Sequence, residues 1–276
     1  MGRVAEVIRH GLNWTIVILL GDILWGAALM AAIPVDPSSL FYPMGVNAGL
    51  VFGVRSNPAA LSGAKGICVG GLVENPFAVS EWMNSGLSGI WGHRNSGLAL
   101  DYYQKGPAFY REQELGLAYG QGFGNVFRAG LRMKCRRTSI PDADRQYFDL
   151  AYDFGIRARF SKKLTFSAVS KEPFRIQGAE VRSVSSSIEL GVQYEPDPNW
   201  ALSIEFSKPA ALFPSLGLGI GIRPSAYSIA WLRFFSNPWK FELGWGIEWG
   251  KMQIYSFAGY HSVLGVSPGL AVFRSF

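Results

Sequence analysis

Residues 146–160 alternate between two faces without a break. Gln146, Phe148, Leu150, Tyr152, Phe154, Ile156, Ala158 and Phe160 form one set; Tyr147, Asp149, Ala151, Asp153, Gly155, Arg157 and Arg159 form the other. One face is nearly all apolar and the other carries four charges, which is the two-residue period of a strand rather than the 3.6-residue period of a helix. At fifteen residues the run is far longer than the ~5–6 residues usual in soluble sheets.

The same division recurs along the chain. In 125–136, Phe127, Ala129, Leu131, Met133 and Cys135 oppose Arg128, Arg132, Lys134 and Arg136. In 240–250, Phe241, Leu243, Trp245, Ile247 and Trp249 oppose Lys240, Glu242, Gly244, Gly246 and Glu248. Long strands with one apolar face fit a transmembrane antiparallel β-barrel. Lipid offers no water to satisfy edge amides, so such a sheet has to close.

Counting from Lys65, the pattern predicts about fourteen strands, with the barrel spanning 65–276. Most alternate connections are short, such as Arg94-Asn95-Ser96, Ser161-Lys162 and Pro224-Ser225. Most intervening ones are longer, such as 75–85, 137–145 and 172–181, although Ser236-Asn237-Pro238 is brief. Short turns at one rim and longer loops at the other are the asymmetry of outer-membrane barrels. The chain ends on Phe276, with Leu270 and Val272 on one side of the last strand; this reads as a C-terminal signal for the barrel assembly machinery.

Composition agrees. Of 276 residues 49% are hydrophobic and 17% charged, with 33 glycines and a mean hydropathy of +0.14. Disorder needs lower hydrophobicity, and a helical membrane bundle needs repeated apolar spans of ~20 residues. Residues 1–32 read as a signal peptide: Arg3 and Arg9 precede an apolar stretch, and Gly26-Ala27-Ala28 offers a small-residue exit. The alternative is an N-terminal anchor, which Asp22 near the middle of the stretch disfavours. Residues 33–64, rich in Gly, Pro and Asn yet carrying Leu40, Phe41, Val51 and Phe52, are expected to form a short plug.

If the apolar sets face lipid, the lumen receives Glu112, Glu114, Arg128, Arg132, Lys134, Arg136, Asp149, Asp153, Arg157 and Arg159. Bases between two acid-bearing strands invite cross-strand ion pairs. The set is either an electrostatic constriction or a self-neutralised ladder that stiffens the wall. Gly217, Gly219 and Gly221, with Gly244 and Gly246, fall on the lumen side, where missing side chains leave room for a plug, a ligand or neighbouring side chains.

Arg55-Ser56-Asn57-Pro58-Ala59-Ala60-Leu61 resembles the NPA segment of the FadL-type outer-membrane transport family and of the related PorV/PorQ-type barrels. The tail Tyr260-His261-Ser262-Val263-Leu264-Gly265 is similar to the signature before the last strand of the PorV/PorQ-like branch. With the strand pattern, the likeness covers most of the chain after residue 32. It implies a fourteen-stranded monomeric barrel in the outer membrane of a Gram-negative-type bacterium, surrounded by outer-membrane lipid. Asn57, Pro58 and Ala59 would seat the plug. The barrel would pass small hydrophobic compounds, or else serve a secretion machinery and bind its proteins. The chain is shorter than the fatty-acid transporters, with smaller loops.

Enzyme signals are poor: His261-Ser262 has no acid nearby to complete a hydrolytic set. No CxxC or HxxxH spacing is present, so no metal or other cofactor is expected. Net charge is +6, but the bases are spread over alternate strand positions, which points away from nucleic acid and towards anionic lipopolysaccharide at a rim.

Overall fold

The computed structural model describes residues 54–107, 109–140, 145–177, 186–210 and 212–276. The signal-peptide reading and most of the plug reading lie outside these residues.

Fourteen strands close into one antiparallel barrel. They are β1 (Gly66–Glu74), β2 (Asn84–His93), β3 (Ser96–Lys105), β4 (Arg111–Phe123), β5 (Phe127–Ile140), β6 (Arg145–Arg159) and β7 (Leu164–Gln177). The second half comprises β8 (Ser187–Asp197), β9 (Trp200–Pro209), β10 (Ser215–Ser225), β11 (Ser228–Ser236), β12 (Trp239–Trp249), β13 (Met252–His261) and β14 (Gly265–Ser275). Each strand pairs with its sequence neighbours, and β1 closes on β14 from Cys68↔Ser275 to Glu74↔Gly269. The Phe276 amide donates to the Ile67 carbonyl at 2.8 Å, extending that seam by one bond.

Alternation becomes an inside and an outside. Leu131, Met133, Phe154, Ile156, Leu243 and Trp245 are exposed on the outer surface, whereas Arg132, Lys134, Asp153 and Arg157 are buried within. A closed sheet with an apolar exterior and a charged interior is built to span a membrane. Exposed aromatics ring both ends: Trp91, Phe123, Phe160, Tyr227 and Trp249 at the short-turn rim, Tyr110, Phe213, Trp239 and Tyr260 towards the other. Cys135 is exposed and Cys68 buried, and both thiols are free.

The wall is uneven in height. β4–β7 hold 13, 14, 15 and 14 residues, against 9–11 for the other strands. One expected boundary is corrected here: the segment after residue 171, read as a loop, continues as strand to Gln177. Register shifts between Ala151 and Asp153 of β6, because β7 bulges there. Pro173 cannot donate to a ladder and is tolerated at such a bulge, and Glu172 adopts φ +50°. The bulge turns Lys171 and Glu172, adjacent in sequence, both towards the lumen. Strict alternation sends one of them out.

Candidate functional site in the barrel lumen

The floor is built from the segment before β1. Residues 54–56 form a helical turn and Pro58–Gly63 a 3-10 helix. Asn57 caps that helix: its side-chain oxygen accepts from the Ala59 amide at 3.1 Å, and its side-chain amide donates to the Ile156 carbonyl of β6 at 3.2 Å. Proline suits the first helical position because its missing N–H would be unsatisfied there anyway. Val54, Ala59, Leu61 and Ala64 are buried beneath the lumen. The NPA residues thus tie the segment before β1 to the wall through the Asn57 side chain.

A row of glycines receives this helix. Gly92, Gly97, Gly120, Gly130 and Gly155 lie one on each of β2–β6 and pair with each other in that order across the sheet. A Cβ on Gly130 would fall 2.3 Å from the Pro58 carbonyl carbon, and one on Gly155 2.1 Å from the Asn57 side-chain oxygen. Only glycine permits the close approach. The lumen glycines expected from sequence behave differently. A Cβ on Gly244 would meet the Trp231 ring at 2.1 Å and one on Gly246 the Tyr255 ring at 2.4 Å, so neighbouring aromatics fill that space. Gly217 faces Phe235 at 3.0 Å; Gly219 and Gly221 share its parity on β10.

Above the floor, the tall wall carries an ionic lattice. Arg132 donates to Asp101 at 3.1 and 2.5 Å and to Glu114 at 2.8 Å, and lies 3.5 Å from Asp153. Lys134 bridges Asp153 and Glu172, each at 2.9 Å. Arg136 joins Glu112 at 3.0 Å, Glu114 at 3.2 Å and Glu172 at 2.5 Å, with Asp149 at 3.9 Å. Arg132 and Asp101 are only 2% and 1% exposed, so the centre of the lattice is shielded from solvent. Its opposite charges interleave at contact distance, which favours the stiffening ladder over an ion-selective ring. Glu112, Glu114, Arg132, Lys134, Arg136, Asp149 and Asp153 meet here. Arg128, Arg157 and Arg159 do not: they gather at the short-turn mouth beside Val126 and Thr165. Sequence reasoning missed Asp101 and Glu172, which hold two and three of the contacts.

Arg55 links floor to lattice. Its guanidinium stacks 3.6 Å over the Tyr103 ring and lies 3.5 Å from Glu114 and 3.9 Å from Asp101. The facing wall has a smaller ionic group, in which Arg233 bridges Glu205 at 2.5 Å and Glu242 at 3.0 Å, and Lys240 reaches Glu242 at 3.0 Å. Phe235 lies beneath both bases, 4.7 Å from Arg233 and 4.4 Å from Lys240.

Between the walls the described residues outline a cavity of about 680 Å³. It runs from Phe213 and Pro238 at the long-loop rim down to Arg55 and Ser56, just above the NPA helix. Leu72, Tyr103, Phe235, Phe257 and Phe273 give it an apolar side. Arg55, Lys171, Arg233 and Lys240 are balanced by Glu74, Glu189, Glu205 and Glu242, so its formal charge is zero. His261 is engaged elsewhere: its Nδ1 accepts from the Val263 and Leu264 amides at 3.2 and 3.3 Å.

No family model matches the chain, and no curated protein does. Solved structures do. The Pseudomonas putida toluene transporter TodX superposes with a TM-score of 0.60 at 9% identity, over 86% of this chain and 93% of that one. The Ralstonia pickettii toluene transporter TbuX gives 0.58 at 8%, over 85% and 95%. The Acinetobacter baumannii outer membrane protein Omp33 gives 0.52 at 10%, over 76% and 98%. The fold is that of outer-membrane β-barrels.

Proposed function

We propose that this protein is an outer-membrane conduit that takes up small hydrophobic molecules through its lumen. The observation that carries the reading is the cavity that the described residues outline: neutral in sum, apolar on one side, reaching to the long-loop rim and floored by a helix that side chains hold to the wall. A pocket of several hundred Å³ with apolar lining and a few placed polar groups suits a small ligand. Two structural neighbours described as toluene transporters share the fold, which supports an aromatic hydrocarbon as the first compound to try. The ionic lattice keeps the tall wall rigid while the NPA segment, anchored through Asn57 and Arg55, is the part that has to yield for passage.

The test is accumulation of radiolabelled toluene by outer-membrane vesicles with and without the full-length protein. Faster, non-saturating entry with the protein is expected. Equal entry in both would refute the conduit, and stable co-purification of periplasmic or surface proteins with such an inactive barrel would favour the secretion-associated alternative.

A further inference from the structure

The excess charge of the chain is not spread over the barrel. At the short-turn rim, counting turns and the last two positions of each flanking strand, there are eight bases and two acids, a net of +6. That equals the formal side-chain charge of the whole protein. In the sequence, the longer connections and the equivalent flanking strand positions hold six bases and six acids.

Four of the eight, Lys65, Arg94, Lys162 and Lys163, are exposed in turns or just before β1, and none makes an ion pair with another described residue. Lys251 and Arg274 extend the charge across the closing seam, while Arg128 and Arg159 line the mouth. The acids, Asp197 and Glu248, stand on β8 and β12. The basic arc therefore runs from the β12–β13 turn through β1 to the β6–β7 turn.

A second observation fixes what this arc meets. Trp91, Phe123, Phe160 and Trp249 are exposed at the same rim, Trp249 to 80%. Aromatic rings gather at headgroup level in membrane proteins, and short turns lie on the periplasmic side of outer-membrane barrels. Bases beside such a girdle stand at phosphate depth in the periplasmic leaflet, which lipopolysaccharide in the opposite leaflet does not reach.

We infer that the short-turn rim binds anionic phospholipid headgroups of the phosphatidylglycerol class through Lys65, Arg94, Lys162 and Lys163. The inference does not depend on what passes through the lumen. Each base at a charged membrane surface biases lipid binding about five-fold, so several of them shared around a rim give a measurable selection. This replaces the lipopolysaccharide contact expected from the charge of the sequence alone.

The full chain is reconstituted in nanodiscs of phosphatidylcholine doped with phosphatidylglycerol, and lipids that remain bound are counted by native mass spectrometry. Phosphatidylglycerol retained over phosphatidylcholine by about five-fold or more is expected. The preference should fall to near unity in the Lys65→Gln/Arg94→Gln/Lys162→Gln/Lys163→Gln variant, and stay in an Arg111→Gln/Lys208→Gln variant of the other rim. A salt titration of the unaltered protein gives an arm free of folding effects: the preference should vanish near 1 M, where screening acts within ~3 Å. Equal retention of both lipids, an unchanged preference in the four-fold variant or at high salt, or retention of added lipopolysaccharide in place of phosphatidylglycerol would overturn the inference.

Discussion

Gly130 lies directly opposite Gly155 across β5 and β6, and the two together receive Pro58 and Asn57. The pair belongs to a row that begins at Gly92 and crosses five strands at one level of the barrel. Without side chains the wall presents its backbone, and the NPA helix rests on that strip. The row and the helix are one structural unit, although some seventy residues or more separate the NPA segment from Gly130 and Gly155.

Filling the row should therefore unseat the helix without opening the barrel. Gly130→Val places a side chain where the Pro58 carbonyl carbon lies only 2.3 Å from a Cβ. Overpacking of this kind costs ~1–3 kcal/mol. Heat-modified migration on gels should persist with a lower transition temperature, and protease cleavage should appear within 54–64. Gly89→Val serves as the comparison, because a Cβ there meets nothing within 4 Å; it should change stability by less than ~0.5 kcal/mol.

Removing Arg132 should be among the most damaging single changes in the lumen. Arg132→Met leaves Asp101, Glu114 and Asp153 facing one another where they are shielded from solvent. Breaking a buried ion pair from one side costs ~3–5 kcal/mol. Asp101→Asn combined with Arg132→Gln should cost less than the two single losses added, with a coupling of ~0.5–3 kcal/mol. Urea unfolding in lipid vesicles measures all four species; strict additivity would show that the lattice is not acting as a unit.

The exterior was legible from sequence because every strand meets the same solvent outside. Lipid rewards an apolar residue at each outward position, so Phe148, Leu150 and Phe154 announce their face one strand at a time. The glycine row is not legible that way. Each of Gly92, Gly97, Gly120, Gly130 and Gly155 is an ordinary interior glycine until cross-strand register aligns them, and register depends on pairing partners. Glu172 escaped for another reason, since a bulge carries it to the face opposite its parity; Glu172-Pro173 was the available signal, read as the end of a strand. Asp101 shares its face of β3 with a single other charge, Lys105, at the end of the strand, and its partner Arg132 lies two strands away.

Arg55 should control how firmly the floor is held. It stacks on Tyr103 and approaches two lattice carboxylates while remaining partly exposed to the cavity. Arg55→Ala should raise amide hydrogen exchange across 57–63 at least several-fold, consistent with the ~0.5–2 kcal/mol of a cation–π contact. Exchange in β4 and β5 should not change. Arg55→Lys should fall between the two, because a lysine keeps the charge but loses the planar stack. Uniform acceleration across the barrel would mean that Arg55 supports the wall rather than the floor.

The two cysteines report which surface faces lipid. Cys135 is exposed on the outside of β5 and Cys68 is buried inside β1. In proteoliposomes a membrane-soluble maleimide should label Cys135 and spare Cys68, and a charged maleimide should label neither. Rapid labelling of Cys135 by the charged reagent would place that face in water and contradict the barrel's orientation.

Ser88 and Gly89 are neighbours on β2 that point to opposite sides of the wall, Ser88 into the cavity and Gly89 into open space outside. Toluene entry into vesicles carrying Ser88→Trp or Gly89→Trp, measured beside the unaltered protein, tests the route itself. Blocked entry with Ser88→Trp and normal entry with Gly89→Trp is the predicted result. Normal entry with both, in barrels that still shift on heating, would show that the cavity is not the path.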